Sequence, residues 1–126
     1  DIGSTYVEID LTNQRLVFYM KGTPIVDTPI VSGNPNIDGC ATPEGCYALD
    51  AKESPAVLTG EDYETNVTYW MPFAGNVGIH DATWRTEFGG NMYQWDGSHG
   101  CINVPYDKAA AIYANIEVGM PVVVYE

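Results

Sequence analysis

Only one stretch of the chain, residues 105–116, reads as a sustained helix, and short β-prone runs lie on both sides of it. Pro105 suits the first helical turn, Asp107 the positive end of the helix dipole, and three consecutive alanines propagate the helix. Ala109, Ile112, Tyr113 and Ile116 form one apolar stripe, and Gly119 ends the segment. Residues 6–10 alternate apolar and polar, residues 15–20 are β-rich, and Thr12-Asn13-Gln14 between them predicts a hairpin. Lys21-Gly22 turns the chain into 24–32, whose Pro24 and Pro29 suit an edge or bulged strand. Residues 33–45 carry Pro, Gly and Asn throughout and predict a long loop, followed by a strand at 45–49. Residues 51–66 look polar and irregular, with Glu61, Asp62 and Glu64 close together and room for a short helical piece. Strands are expected at 67–71 and 77–80, the second ending at His80, and a closing strand at 121–125. The fold class is therefore mainly β, with one main helix and no internal repeat.

A chain of 126 residues with 45% hydrophobic content makes one domain with a core of its own. Seventeen acids against five Lys and Arg give a net charge of −12. Such a surface repels nucleic acid and anionic lipid. No apolar run reaches the roughly twenty residues that span a bilayer. The sequence begins at Asp1 without a methionine or a signal-like segment. The expectation is a single domain over 1–126, the C-terminal part of a longer exported protein.

The three cysteines are an odd number. Cys40 and Cys46 lie in a loop rich in turn formers, where they could close a disulfide or stand as two small, partly buried thiols. Either way Cys101 has no partner. It lies in Gly97-Ser98-His99-Gly100-Cys101-Ile102-Asn103, with Ile79-His80-Asp81 upstream, and both histidines of the chain fall inside these two motifs. Thiol, imidazole and carboxylate are the groups a cysteine-nucleophile acyl transferase needs: the thiol attacks as thiolate, a ring takes its proton, and a third group fixes the tautomer. If 98–103 is extended, His99 and Cys101 share a face; His80 reaches the thiol only if the fold joins the two strands. Spacing does not choose between them. Asp81 could orient His80 or serve as a structural carboxylate. The Gly100 and Cys101 amides are candidates for an oxyanion hole. A zinc site built from His80, Asp81, His99 and Cys101 is the rival chemistry, but no second close-spaced ligand pair supports it. Residues 63–95 hold eight of the fifteen aromatics. Some of these belong to the core, and others could wall a substrate groove on a loop made mobile by Phe88-Gly89-Gly90-Asn91.

Tyr69-Trp70-Met71-Pro72-Phe73, Ile79-His80-Asp81, Phe88-Gly89-Gly90 and Ser98-His99-Gly100-Cys101-Ile102-Asn103, with Thr42-Pro43-Glu44-Gly45, resemble the catalytic domain of L,D-transpeptidases of the YkuD type, from about residue 6 to 125. The resemblance implies a mixed β-sandwich with its main helix after the cysteine. It also implies cysteine-dependent cross-linking of peptidoglycan through a thioester, in the service of cell-wall building and cell shape. Cys101 would be the nucleophile and His80 the base, with His99 lining the site. Ser98, Asn103, Trp70, Met71 and Tyr93 would meet the substrate. No cofactor or metal is implied. The partners would be donor and acceptor stem peptides, and carbapenems would acylate the cysteine. The site would work on the extracellular face of a bacterial cell, with membrane contact only through a segment outside this chain. With water as acceptor the same site would be an L,D-carboxypeptidase; a wall-binding module without catalysis is the remaining alternative. The chain differs from the commoner pattern at Asp81, where glycine is usual, and at Asn103, where arginine is commoner.

Overall fold

A computed structural model describes residues 3–59 and 64–126. In chain order its elements are β1 (Tyr6–Asp10), β2 (Arg15–Met20), β3 (Thr23–Pro29), β4 (Gly45–Ala48), β5 (Ala56–Thr59), β6 (Glu64–Val67), β7 (Trp70–Ala74) and β8 (Val77–Asp81). They continue with α1 (Tyr93–Asp96), β9 (Ile102–Val104), α2 (Tyr106–Asn115) and β10 (Pro121–Tyr125). Among the described residues these strands form a five-stranded sheet, β3-β2-β1-β10-β4, a three-stranded sheet, β7-β8-β9, and the pair β5-β6.

Alternation decides the five-stranded sheet. Val7, Ile9, Leu16, Phe18, Val122 and Val124 point inward and are buried, while Glu8 on the outer face accepts hydrogen bonds from Tyr6 and Tyr125. β1 and β2 pair as the expected hairpin, and β10 joins β1 in parallel, bringing the two ends of the sequence side by side. Gln14 at the hairpin turn adopts a left-handed φ of 51°. β3 carries its prolines on the sheet edge and meets β2 across an irregularity at Phe18/Tyr19, as proline's missing N–H requires.

The second sheet faces the first across the core. Met71 and Phe73 of β7, Ile79 of β8, and Ile102 and Val104 of β9 meet the inward residues of β1 and β2. The apolar stripe of α2 closes the core, with Ala109, Ile112 and Ile116 buried against β8 and β3. Each large side chain buried here contributes roughly 1.5–3 kcal/mol. Pro105 sits one residue before the helix, and its carbonyl accepts from Lys108 and Ala109.

Two local expectations change, and one open alternative is decided. Part of 51–66 is not irregular: Ala56–Thr59 pairs antiparallel with Glu64–Val67, and the acids Glu61 and Asp62 lie outside the described residues. β7 starts at Trp70 rather than at 67, because Thr68 and Tyr69 turn their amides onto the Asp81 carboxylate. No bond joins Cys40 and Cys46, which are free thiols. Cys40 is buried in the turn where its amide donates to Ile37, while Cys46 sits on the solvent side of β4.

The loop after β3 is stitched to the segment before α2. Val31 and Asn103 exchange backbone hydrogen bonds of 3.0 and 2.9 Å. The buried Gln14 side chain donates to Ser32 Oγ and accepts from its amide. At Gly33 a Cβ would stand 1.8 Å from the Cys40 carbonyl oxygen and 2.8 Å from Gly100 Cα. Only glycine fits there.

Candidate active site

Parallel pairing of β8 with β9 creates the site. The register sets Ile79 beside Ile102 and His80 beside Asn103. The two isoleucines go to the core, so His80 and Asn103 share the opposite face. Cys101 lies one residue before β9, two from Asn103, and comes to the same cleft beside Gly78. The cleft has a volume of about 270 Å³, and His80, Trp84, Arg85, Ser98, His99 and Cys101 are among its walls.

His80 is 4% exposed. Its Nδ1 lies 2.7 Å from the Asp81 backbone carbonyl, and its Nε2 lies 3.2 Å from Asn103 Nδ2. A carbonyl can only accept, so Nδ1 carries the proton and Nε2 offers a lone pair. The Asn103 amide is oriented in turn by Arg85, whose Nε donates to Oδ1 at 2.8 Å. Trp70 and Trp84 both lie against the ring, each with its centroid 5.9 Å away. Burial pushes the His80 pKa below the ordinary imidazole value, outweighing the contrary pull of Asp81. The ring is therefore neutral at neutral pH.

Burial also raises the Cys101 thiol, against a smaller pull from the Gly78 amide. The thiol points at the Asn76 carbonyl, 3.4 Å away. The turn before it is held by Ser98, whose hydroxyl donates to the Cys101 carbonyl and accepts from the Gly100 amide at 3.1 Å. Thr42 braces the same turn from the other side, donating to the Gly100 carbonyl at 2.7 Å and accepting from the Gly33 amide at 2.9 Å.

Several residues picked from sequence take other places. Gly100 has a φ of 131°, so 98–103 is not one extended strand and the face-sharing of His99 with Cys101 does not follow from alternation. His99 is exposed and lines the cleft all the same. The Gly100 amide is engaged by Ser98, which leaves the Cys101 amide as the candidate oxyanion donor. The Asp81 carboxylate does not touch His80. It takes the Thr68 and Tyr69 amides at 2.9 and 2.8 Å, and the backbone carbonyl of the same residue holds the ring.

Met71 is fully buried in the core, out of reach of a substrate. Tyr93, on α1, borders a separate cavity with Ser32 and Thr42. Asn103 is buried and bonds to His80 and Arg85 rather than offering itself openly. Gly89 is fastened by its amide to the Ile30 carbonyl at 2.8 Å. Among the described residues, no cluster of three or more His, Cys, Asp or Glu is placed to hold a metal.

Sequence reasoning gave no site role to Arg85, Thr42, or Leu58 and Thr65 of the β5–β6 pair, which line the cleft. Thr42 lay within a motif already noted. Arg85, one of five cations in an acidic chain and close behind His80-Asp81, was the other available signal.

Comparison with known proteins agrees with this geometry. The family described as the L,D-transpeptidase catalytic domain, YkuD, matches residues 4–124. A crystal structure of a cysteine-to-serine mutant of the Enterococcus faecium L,D-transpeptidase is 41% identical, with a TM-score of 0.92, over 98% of this chain and 50% of that one. The chain thus spans half the length of that relative. The catalytic domain from the E. faecium L,D-transpeptidase acylated by ertapenem is 40% identical, with a TM-score of 0.86, over 99% of both chains. A Mycobacterium tuberculosis L,D-transpeptidase at 21% identity shares the fold, with a TM-score of 0.85 over 98% of this chain and 58% of that one. Comparison with curated protein sequences gave no match. With a family match over almost its whole length and a thiol and a buried imidazole meeting in one cleft, the chain belongs to the YkuD family of L,D-transpeptidase catalytic domains.

Proposed function

We propose that this domain joins peptidoglycan stem peptides by two acyl transfers at Cys101, with His80 as the base. The observation that carries the reading is the pairing of β8 with β9, which brings His80, with an unprotonated Nε2, to the cleft that Cys101 also lines. The thiol leaves the Asn76 carbonyl and gives its proton to Nε2 as sulfur bonds to the carbonyl carbon of the donor's third residue. The Cys101 amide faces the developing oxyanion; such a donor contributes on the order of 3 kcal/mol in a transition state. The C–N bond then breaks, Nε2 returns the proton to the departing D-alanine amine, and a thioester remains. A side-chain amine of an acceptor stem attacks the thioester, loses a proton to Nε2, and the thiol is restored. Ser98 and Thr42 hold the turn that presents the sulfur. Trp70 keeps the ring in place from the core side, and Trp84 and His99 offer surfaces to the substrate.

The related E. faecium domain acylated by ertapenem supports the same nucleophile here. Incubation with a carbapenem should add one covalent adduct to the intact protein by mass spectrometry, and Cys101→Ala should gain none. An unmodified native protein would overturn the reading. Hydrolysis of the same thioester by water, an L,D-carboxypeptidase activity, uses every group named and is the second reading; products from a defined muropeptide separate the two. A peptidoglycan substrate would place the site on the outer side of a bacterial cell, in the wall, where it would bear on cell shape.

A further inference from the structure

We propose that Arg85 is the residue that recognises the free carboxylate of the departing D-alanine, and so sets the domain's preference for donors that end there. This rests on the transpeptidase reading above. The ring that takes the thiol proton must return it to the leaving amine, so that amine lies at His80 Nε2 in the step that breaks the peptide bond. In an α-amino acid the carboxylate oxygens lie about 3 Å from the amine nitrogen. The leaving carboxylate therefore falls in the shell around Nε2. Asn103 Nδ2 stands in that shell at 3.2 Å, and Arg85 Nε donates at 2.8 Å to Oδ1, the other end of the same amide, in the cleft that both Arg85 and His80 line.

Arg85 is the one permanent cation among the described residues lining the cleft. Its side chain is 10% exposed, and among the described residues its one ion pair is with Asp96, at 3.5 Å and 74% exposed. A pair that long and that solvated is weak, so the guanidinium can exchange it for an incoming carboxylate. Nε is already committed to Asn103, which leaves the terminal nitrogens to make the fork that a carboxylate matches. In the acylation step the carboxylate stays charged and unchanged. The C–N bond breaks, the C–S bond forms, and the proton passes from sulfur through Nε2 to the amine.

The experiment compares two synthetic donor tetrapeptides, one ending in D-alanine and one in D-alaninamide, by release of the last residue from the native protein, Arg85→Gln and Arg85→Lys. The native protein should favour the acid in kcat/KM by roughly 10- to 100-fold, the range for one hydrogen bond to a charged group. Arg85→Gln should bring that ratio close to one, chiefly through KM, and Arg85→Lys should keep part of it. Any change that Arg85→Gln makes in the pH profile of Cys101 alkylation by iodoacetamide, through Asn103 and the ring, acts on both donors alike and cancels from their ratio. Equal losses on both donors, with their ratio unchanged, would show that Arg85 only positions Asn103 and would overturn the proposal. A native protein indifferent to amidation would overturn it too, and needs no variant to fold. If the carbapenem adduct forms while acid and amide are treated alike, Arg85 alone is misassigned. If neither adduct nor release occurs, the transpeptidase reading falls with it.

Discussion

At Cys101 and His80 burial drives two pKa values apart, the thiol up and the imidazole down, so the resting cleft is lined by a neutral thiol and a neutral ring. Asn103 strengthens this by donating to Nε2, a bond that exists only while that nitrogen is unprotonated. The thiolate and imidazolium therefore form together, when an acyl group is present to take the charge. Activity should fall on the acid side only below the ordinary imidazole pKa of about 6.5, and simple alkylation of Cys101 should rise with pH to a midpoint above that of an ordinary thiol. A pH series of carbapenem acylation and iodoacetamide labelling checks both limbs. An acid limb at or above 6.5 would contradict the buried neutral ring. Stability follows the same signs. The folded state binds fewer protons at His80 than the unfolded chain does, so stability is full above about 6.5 and declines as pH falls through the window below it. At Cys101 the folded state keeps a proton that the unfolded thiol sheds, so stability declines as pH rises beyond the usual thiol value. The Cys101→Ala protein should lose the part of the alkaline decline that sets in at the usual thiol value, keep the later part due to Tyr6, Tyr69 and Tyr125, and keep the acid one.

At the level of elements, the end of β8 separates two roles that adjacent residues would otherwise share. His80 turns to the cleft, and Asp81 turns away to gather the amides that lead into β7. Asp81→Asn can keep those bonds through its carbonyl oxygen, so its kcat/KM should stay within about tenfold of native, whereas a triad carboxylate lost in this way costs orders of magnitude. Asp81→Ala orphans two amides and should cost about 1–3 kcal/mol in urea unfolding. A collapse of activity in Asp81→Asn with stability intact would restore the triad. The contrast shows what was legible beforehand. The β1–β2 hairpin, the edge strand with Pro24 and Pro29, and the stripe on α2 obey periodicity, and they stand where their patterns put them. The β5–β6 pair has only four residues to a strand, too few for alternation to register beside an acidic run. The carboxylate of Asp81 was open to either role because strand ends are where alternation stops deciding direction.

Across the whole molecule the site is an assembly of distant segments. Thr42 reaches Gly100 across 58 residues and Gln14 reaches Ser32 across 18, so no local pattern could assign them, although the motif around Cys101 was plain. Arg85 is hidden for the same reason: its meaning depends on Asn103, which sequence alone leaves without a partner. Charge, by contrast, is a property of the whole chain and could be read at once. A domain carrying a net charge of −12 surrounds its cleft with a field that raises the local concentration of cations, and Arg85 is the permanent cation among the described residues lining that cleft. On the transfer reading proposed above, a cationic acceptor amine would be drawn to the acyl-enzyme, whereas water would not. Salt screens that field, since the Debye length falls from about 30 Å at 0.01 M to about 8 Å at 0.15 M. With an amine-bearing acceptor stem, raising the salt from 0.01 to 0.15 M should slow transfer several-fold while thioester hydrolysis stays constant, so the ratio of cross-linked to hydrolysed product falls. Chromatography of both products from one reaction measures that ratio directly. A ratio indifferent to salt would mean that the acidic surface serves solubility alone and takes no part in choosing the acceptor.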